Sequence, residues 1–122
     1  MLILHRYLLS ISSLLFLQGL AVLLLMSLSL TLPSPWNRAV PPDAFHAWIH
    51  LIWAIAIGWS LRRGKVLQIG TGFSGFYLAF AGIGFLIDQP WGLQLGLGEN
   101  LFHLGVGAIA LGLLNSAASE HR

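Results

Sequence analysis

Four long stretches of this chain contain no Asp, Glu, Lys or Arg: residues 8–32, 44–61, 67–87 and 101–118. Each approaches the roughly 20 residues that cross a hydrocarbon core at about 1.5 Å per residue. In lipid a backbone must satisfy its own hydrogen bonds within one segment or one closed barrel. Barrel strands alternate apolar and polar residues over about ten positions. Runs such as Val22 to Met26 do not alternate, so the stretches are expected to be helices. The expected fold is therefore an all-α integral membrane protein: one domain over residues 1–122, a four-transmembrane-helix bundle.

Composition supports this. Of 122 residues 57% are hydrophobic and 8% charged, with a mean hydropathy of +0.81. A small soluble domain carries about 25% charged residues, so lipid is the expected solvent and partner. The absence of cysteine rules out disulfides and thiolate metal ligation. The basic balance, +2 at neutral pH, comes from six scattered cations, which form no phosphate-tracking patch, so no nucleic acid partner is expected.

The connections punctuate the spans as expected. Pro33, Pro35, Pro41 and Pro42 break the first loop, and Asp43 is placed to cap helix two. Arg62, Arg63, Gly64 and Lys65 make a tight second turn. Pro90, Gly92, Gly96 and Gly98 mark the third loop, with Asn100 a candidate cap for helix four. Residues His5-Arg6 and Ser27-Leu28-Ser29 resemble the ends of a cleaved signal peptide, but 25 uncharged residues exceed the 7–15 of a signal core. The first span is read as retained. With four spans, the N-terminus, the second turn and the C-terminus share a side. Arg6, Arg62, Arg63, Lys65 and Arg122 lie there, while Asp43, Asp88 and Glu99 lie opposite with Arg38. Both termini are then cytoplasmic by the positive-inside rule, with Arg62, Arg63 and Lys65 as the topology determinants.

Helices two and four read alike. His50-Leu51 is followed by Ala54-Ile55-Ala56-Ile57-Gly58, and His103-Leu104 by Ala108-Ile109-Ala110-Leu111-Gly112. A competing alignment pairs Phe45-His46 with Phe102-His103. Either register suggests two tandem helical hairpins in the same orientation.

These segments, together with Gly70 to Leu86 and its Phe76-Tyr77 and Gly82-Ile83-Gly84, resemble a family of small bacterial four-helix membrane proteins catalogued as a domain of unknown function. Its mark is a His-Leu…Gly signature in helices two and four. The resemblance covers about residues 43–115, while the leucine-rich first helix departs from the family's more glycine-rich one. It implies the two-hairpin fold and a multi-pass protein of a bacterial inner, or other energy-transducing, membrane. It implies no activity.

His46, His50, Ala54 and Gly58 recur every four residues along one stripe of helix two, and Glu99, His103 and Gly107 do so on helix four. His50 is expected about 10 Å inside its helix start and His103 about 5 Å inside. Polar groups at membrane depth are costly and face a bundle interior, which makes them functional candidates. One reading is a ligand site: His50, His103 and His46 holding haem or chlorophyll, with a small residue one turn away making room for the macrocycle. A metal ion on His46, His50 and His103, with Glu99 as fourth ligand or supporting partner, is the other form. The plainer reading, preferred on sequence alone, is interhelical hydrogen bonding worth roughly 0.6–2 kcal/mol per bond, with no cofactor.

Small residues at four-residue spacing, Thr71-Gly75-Ala79 and Ala108-Gly112-Ser116, together with Ala54 and Gly58, are expected to pack helices closely, mainly inside the bundle. Trp36, Trp48, Trp59 and Trp91 suit interfaces, Trp53 lies deeper, and Gln18 is expected to bond a neighbouring helix. No phosphate loop or nucleophile–base set is present, and no acid or base sits mid-span apart from the shallow histidines, so no enzyme is expected. The leading expectation is a non-enzymatic scaffold or accessory subunit of a membrane complex or homo-oligomer. A tetrapyrrole- or metal-binding protein is the first alternative, and a small-molecule channel or transporter the second.

Overall fold

The computed structural model describes residues 1–30, 43–87, 90–93 and 95–119. The first-loop prolines, Trp36, Arg38, Asp88 and Arg122 lie outside them. The described chain is all-helical: α1 Leu2–Ser27, α2 Ala44–Arg62, α3 Val66–Leu86, a short 3₁₀ turn Pro90–Gly92, and α4 Leu97–Ser119. All four α-helices are long and apolar enough to cross a membrane.

α1 packs most extensively along α2, and α3 along α4. The two pairs then meet across α1–α4 and α2–α3. Only Arg63, Gly64 and Lys65 join α2 to α3. Gly64 adopts φ +70° there, a left-handed backbone open to glycine at little cost. Close approach marks the pairs at other glycines. A Cβ on Gly19 of α1 would lie 2.8 Å from the Ala47 carbonyl oxygen of α2, and one on Gly107 of α4 would lie 2.9 Å from Leu78 of α3.

Three expected boundaries move. α1 ends at Ser27 instead of residue 32, with Leu28 and Ser29 in a turn in which Ser29 takes φ +53°. α1 begins at Leu2 instead of residue 8, because nothing in Leu2 to Tyr7 breaks a helix and the Arg6 side chain projects from an exposed position. α4 begins at Leu97 instead of residue 101. Asn100 is consequently not its cap: it is buried in the first turn, where its Nδ2 donates to the Gly84 carbonyl of α3 at 2.9 Å. The start is secured by Glu99, whose Oε2 accepts from the Gly96 N–H at 3.2 Å, the back-reaching arm of a capping box. Asp43 does cap α2, accepting from the N–H groups of Phe45 at 2.8 Å and His46 at 3.1 Å.

The small-residue ridges do not close the bundle. Thr71, Gly75 and Ala79 are exposed on α3, as are Ala108, Gly112 and Ser116 on α4. A Cβ on Gly75, Gly112 or Gly58 would meet nothing within 4 Å. Thr71 and Ser116 instead bond back to the Leu67 and Gly112 carbonyls of their own helices. The reason is rotational. The inward faces are set by Phe73, Tyr77 and Phe80 on α3 and by His103, Val106 and Ala110 on α4, which turns the ridges outward. Of the proposed packing residues, Ala54 is buried in the core.

The interior divides lengthwise. Near the α2–α3 turn it is apolar, with Leu4, Leu8, Ile57, Leu61 and Phe73 buried. Arg6, Arg62, Arg63 and Lys65 belong to that end, and Arg63 lies over the exposed Trp59 ring at 4.4 Å. Trp53 packs edge-on against Phe73 at 5.7 Å between centroids. At the opposite end, where α2 and α4 begin, the interior is polar.

Candidate functional site

Helix phase and helix start together assemble this polar end. With α4 beginning at Leu97, His103 stands six residues into its helix, as His50 stands six residues into α2 after Ala44. Both are therefore about 9 Å along their helix axes, and the difference in depth expected from the sequence disappears. His46, one turn before His50, shares its inward face. All three rings are buried, at 4%, 2% and 0% exposure. For three imidazoles in one small core this burial is itself informative, because a buried polar group costs stability unless something satisfies it.

The three rings touch. His46 Nε2 and His103 Nε2 are 3.1 Å apart, and the His46 and His50 centroids are separated by 4.4 Å. One ring nitrogen from each of the three lies within 4.8 Å of the other two. Behind His46, its Nδ1 is 3.2 Å from Glu99 Oε1, and Glu99 is itself 4% exposed. The carboxylate accepts from Nδ1–H, and in the neutral ring that leaves the Nε2 lone pair of His46 facing His103. Glu99 thereby fixes the tautomer of His46 as the supporting carboxylate of a metal-ligating histidine does.

Not every polar atom here is satisfied. His50 Nε2 and His103 Nδ1 are buried with no hydrogen-bond partner, as is the Tyr77 hydroxyl beside them. Native interiors leave few such groups, and each calls for a reason. The expectation that these histidines simply bond between helices accounts for the His46–His103 contact and leaves His50 unexplained.

The tetrapyrrole expectation meets a steric objection. The space foreseen beside Gly107 is occupied by Leu78. Phe80, Tyr77 and Phe102 stand against the imidazoles, with Phe80 4.9 Å and Tyr77 5.3 Å from the His103 centroid. Packed this way the rings leave a flat macrocycle little room, whereas one nitrogen of each imidazole lies within 4.8 Å of the other two, a grouping that suits a single ion. A four-coordinate ion with bonds of about 2.0–2.1 Å to nitrogen sets its ligand atoms about 3.3 Å apart. The His46–His103 spacing matches this. A nitrogen of His50 lies within 4.8 Å of both, and its Nε2 has no existing bond to surrender.

Glu99 is not a direct ligand in this arrangement, since both its oxygens are engaged, with His46 Nδ1 and Gly96 N–H. Sequence reasoning misses two neighbours of the site. Tyr77 is legible there only as one of three hydroxyls, with Thr71 and Ser74, on an otherwise largely apolar helix three. Asp43 reads as a cap, yet it also borders a small cavity beside His46, His50 and Glu99, as does Gln18. Comparison with family models, with curated proteins and with solved structures finds no match to this chain.

Proposed function

We propose that this protein is a small multi-pass membrane protein that holds one divalent transition-metal ion on His46, His50 and His103, with Glu99 orienting His46. The convergence of three buried imidazole nitrogens, one of them without any partner, carries the reading. Imidazole suits zinc, copper, iron and nickel alike. Charge agrees: Glu99 and Asp43 stand at the starts of α4 and α2, and two carboxylates balance a divalent ion. They also offset the positive ends of the two helix dipoles aimed at the site.

The membrane topology in this proposal has both termini cytoplasmic, in a bacterial inner or other energy-transducing membrane. Large exposed apolar side chains along every helix, such as Leu17, Ile52, Phe85 and Ile109, support insertion. Clustering of Arg62, Arg63 and Lys65 at the turn supports the orientation. The metal centre then lies in the outer half of the membrane. The chain has no cysteine of its own, so Lys65→Cys reports on the turn alone. It should react with an impermeant maleimide only after the cells are broken, and labelling of intact cells would reverse the orientation.

Metal analysis of the full-length protein purified in mild detergent tests the site. About one divalent ion per chain is expected after loading with Co²⁺ or Zn²⁺, and the Co²⁺ form should show visible absorption bands. His46→Ala and His103→Ala should each weaken binding by at least about 100-fold, the loss of a direct ligand exceeding the 10–100-fold typical of a supporting partner. A protein that takes up no ion, or takes it up equally well without these histidines, overturns the reading.

A second reading rests on a separate observation. The exposed ridges Thr71-Gly75-Ala79 and Ala108-Gly112-Ser116 leave helix surface on which another helix can approach closely. They support the scaffold or subunit role, as a homo-oligomer or within a larger membrane complex. Cross-linking in native membranes, repeated with Gly75→Leu, tests it: an unchanged cross-linking pattern counts against association through α3. Passage of a small molecule through the bundle gains no comparable support, since Phe73, Tyr77, Leu8 and Ile57 fill the interior below the histidines.

A further inference from the structure

Far from the histidines, α3 and α4 leave a groove of about 490 Å³ between them, lined by Leu67, Thr71, Gly75 and Leu78 of α3 and by Leu111 and Asn115 of α4. Gly75 helps to make it, because a Cβ there would meet nothing within 4 Å. Beneath it the two helices are joined by the Ser74 hydroxyl, which donates to the Gly107 carbonyl at 3.0 Å. From Leu67 to Leu78 the groove follows α3 for about 16 Å at 1.5 Å per residue. That is close to the depth of one leaflet's hydrocarbon, half of roughly 30 Å. Spread over this length, the volume gives a cross-section of about 30 Å², well below the roughly 80–110 Å² of a helix 10–12 Å across. The groove therefore suits a thread-like occupant, a hydrocarbon chain rather than a helix.

Its lining is graded along that length. In this antiparallel pair Gly70 stands beside Leu114 and Gly107 beside Leu78, which sets Thr71 level with Asn115, about 9 Å along α3 from Lys65. The Thr71 hydroxyl gives its proton to the Leu67 carbonyl at 2.9 Å and keeps its lone pairs. Asn115 is exposed and adds an amide donor at the same level. On the side towards the middle of the helices the lining is apolar, with Gly75, Leu78 and Leu111. On the other side comes Lys65, whose carbonyl accepts from the Ile69 N–H at 3.1 Å, so that its side chain leaves from the very start of α3, two residues before Leu67. Arg62, Arg63 and Lys65 put three exposed cations within four residues, and among the described residues no carboxylate pairs with any of them.

We infer that this groove holds one acyl chain of an anionic phospholipid, drawn from the leaflet on the side of the α2–α3 turn. The phosphate lies at Lys65, the ester groups at Asn115 and Thr71, and the chain runs over Gly75 to Leu78. The inference rests on the membrane reading above and adds a ligand to it; it is independent of the metal. A cation, then an amide and a hydroxyl, then hydrocarbon is the order in which a phospholipid presents phosphate, esters and chain. Charge complementarity selects the headgroup. Basic segments at a membrane surface attract anionic lipids, whereas a zwitterionic headgroup would bring an ammonium of its own to a turn that already carries three cations. The small residue at Gly75 is then room for a lipid chain, and the basic turn has a ligand as well as a part in orienting the protein.

Native mass spectrometry of the full-length protein tests this, after extraction in mild detergent and incubation with equal amounts of phosphatidylglycerol and phosphatidylcholine bearing the same chains. One phosphatidylglycerol per chain is expected, preferred over phosphatidylcholine by at least about 10-fold. Gly75→Phe, which places a ring in open space, should lose the retained lipid and stay a monomer. Lys65→Gln should keep a lipid but reduce the preference by about 5-fold, the share of one cation at an anionic surface; this second variant decides the matter if the first does not fold. Equal retention of the two lipids, or a preference unchanged in Lys65→Gln, overturns the inference. Retention unchanged in Gly75→Phe overturns the placement in this groove. Dimers in place of the lipid-bound chain overturn it in favour of a second copy. A lipid-free monomer recovered from membranes overturns the inference alone, whereas a chain found in the soluble fraction of broken cells overturns the membrane reading itself.

Discussion

The two ends of the bundle interior are built from the same four helices and close in opposite ways. At the α2–α3 turn, Leu4, Leu8, Ile57, Leu61 and Phe73 fill the space, and the charges stay outside on Arg6, Arg62, Arg63 and Lys65. At the other end, Glu99, Asn100 and three histidines occupy the interior. In the proposed membrane setting, moving from lipid to an apolar core gains little hydrophobic energy, so the apolar end would be held by shape and dispersion. The polar end has given up hydration for its imidazoles and recovers it only in part through Glu99 and the His46–His103 contact. A partly compensated polar cluster beside a well-packed apolar end is the contrast on which the metal proposal rests, and the apolar end serves as the frame that holds the cluster together.

That contrast can be broken from either side. The largest effect is expected from Phe73→Ala, a cavity in the frame that should cost about 3–5 kcal/mol of stability. Unfolding in detergent should report it, while metal bound per folded molecule stays unchanged; parallel loss of metal affinity would show that the two ends are not separate. Glu99→Gln should do the reverse. It leaves a hydrogen-bonding group behind His46 but removes the charge, and metal affinity should fall by about 10–100-fold with a smaller change in unfolding. Titration with Co²⁺ followed by absorbance measures the first quantity; affinity equal to that of the unaltered protein would remove Glu99 from the site. The smallest effect is expected from Ser74→Ala. Its hydroxyl donates to the Gly107 carbonyl at 3.0 Å between α3 and α4, and interhelical bonds of this kind average about 0.6 kcal/mol. A loss several times larger would mean that this bond sets the α3–α4 register on which the position of His103 depends.

Much of the site is legible from residue spacing. His46 and His50 at four residues share a face by helix geometry alone, and a buried histidine in an apolar span has to find a polar partner, which makes His103 and Glu99 natural candidates. The depth of His103 is not legible, because it depends on where α4 begins. Pro90, Gly92, Gly96 and Gly98 read as a loop through residue 100, yet Gly98 sits inside the first turn, which Glu99 stabilises by reaching back to Gly96. The ridges mislead for a related reason. A stripe of small residues has a four-residue period whichever way it points, and periodicity carries no information about rotation around the helix axis. Gly19, Gly84 and Gly107, where helices do approach closely, belong to no such ridge on their own helices.

Four helical spans follow from local chemistry. A run of about 20 uncharged apolar residues has few other ways to satisfy its backbone in lipid, and that holds whatever the run packs against. The meeting of three imidazoles and the close approach of the helices within each pair are of another kind. Each depends on side chains from helices far apart in the chain meeting within a few tenths of an ångström: Leu78 against Gly107, Ala47 against Gly19, His103 against His46. Such contacts are set by the rotation and axial shift of whole helices, quantities to which every residue contributes and which no short segment encodes alone.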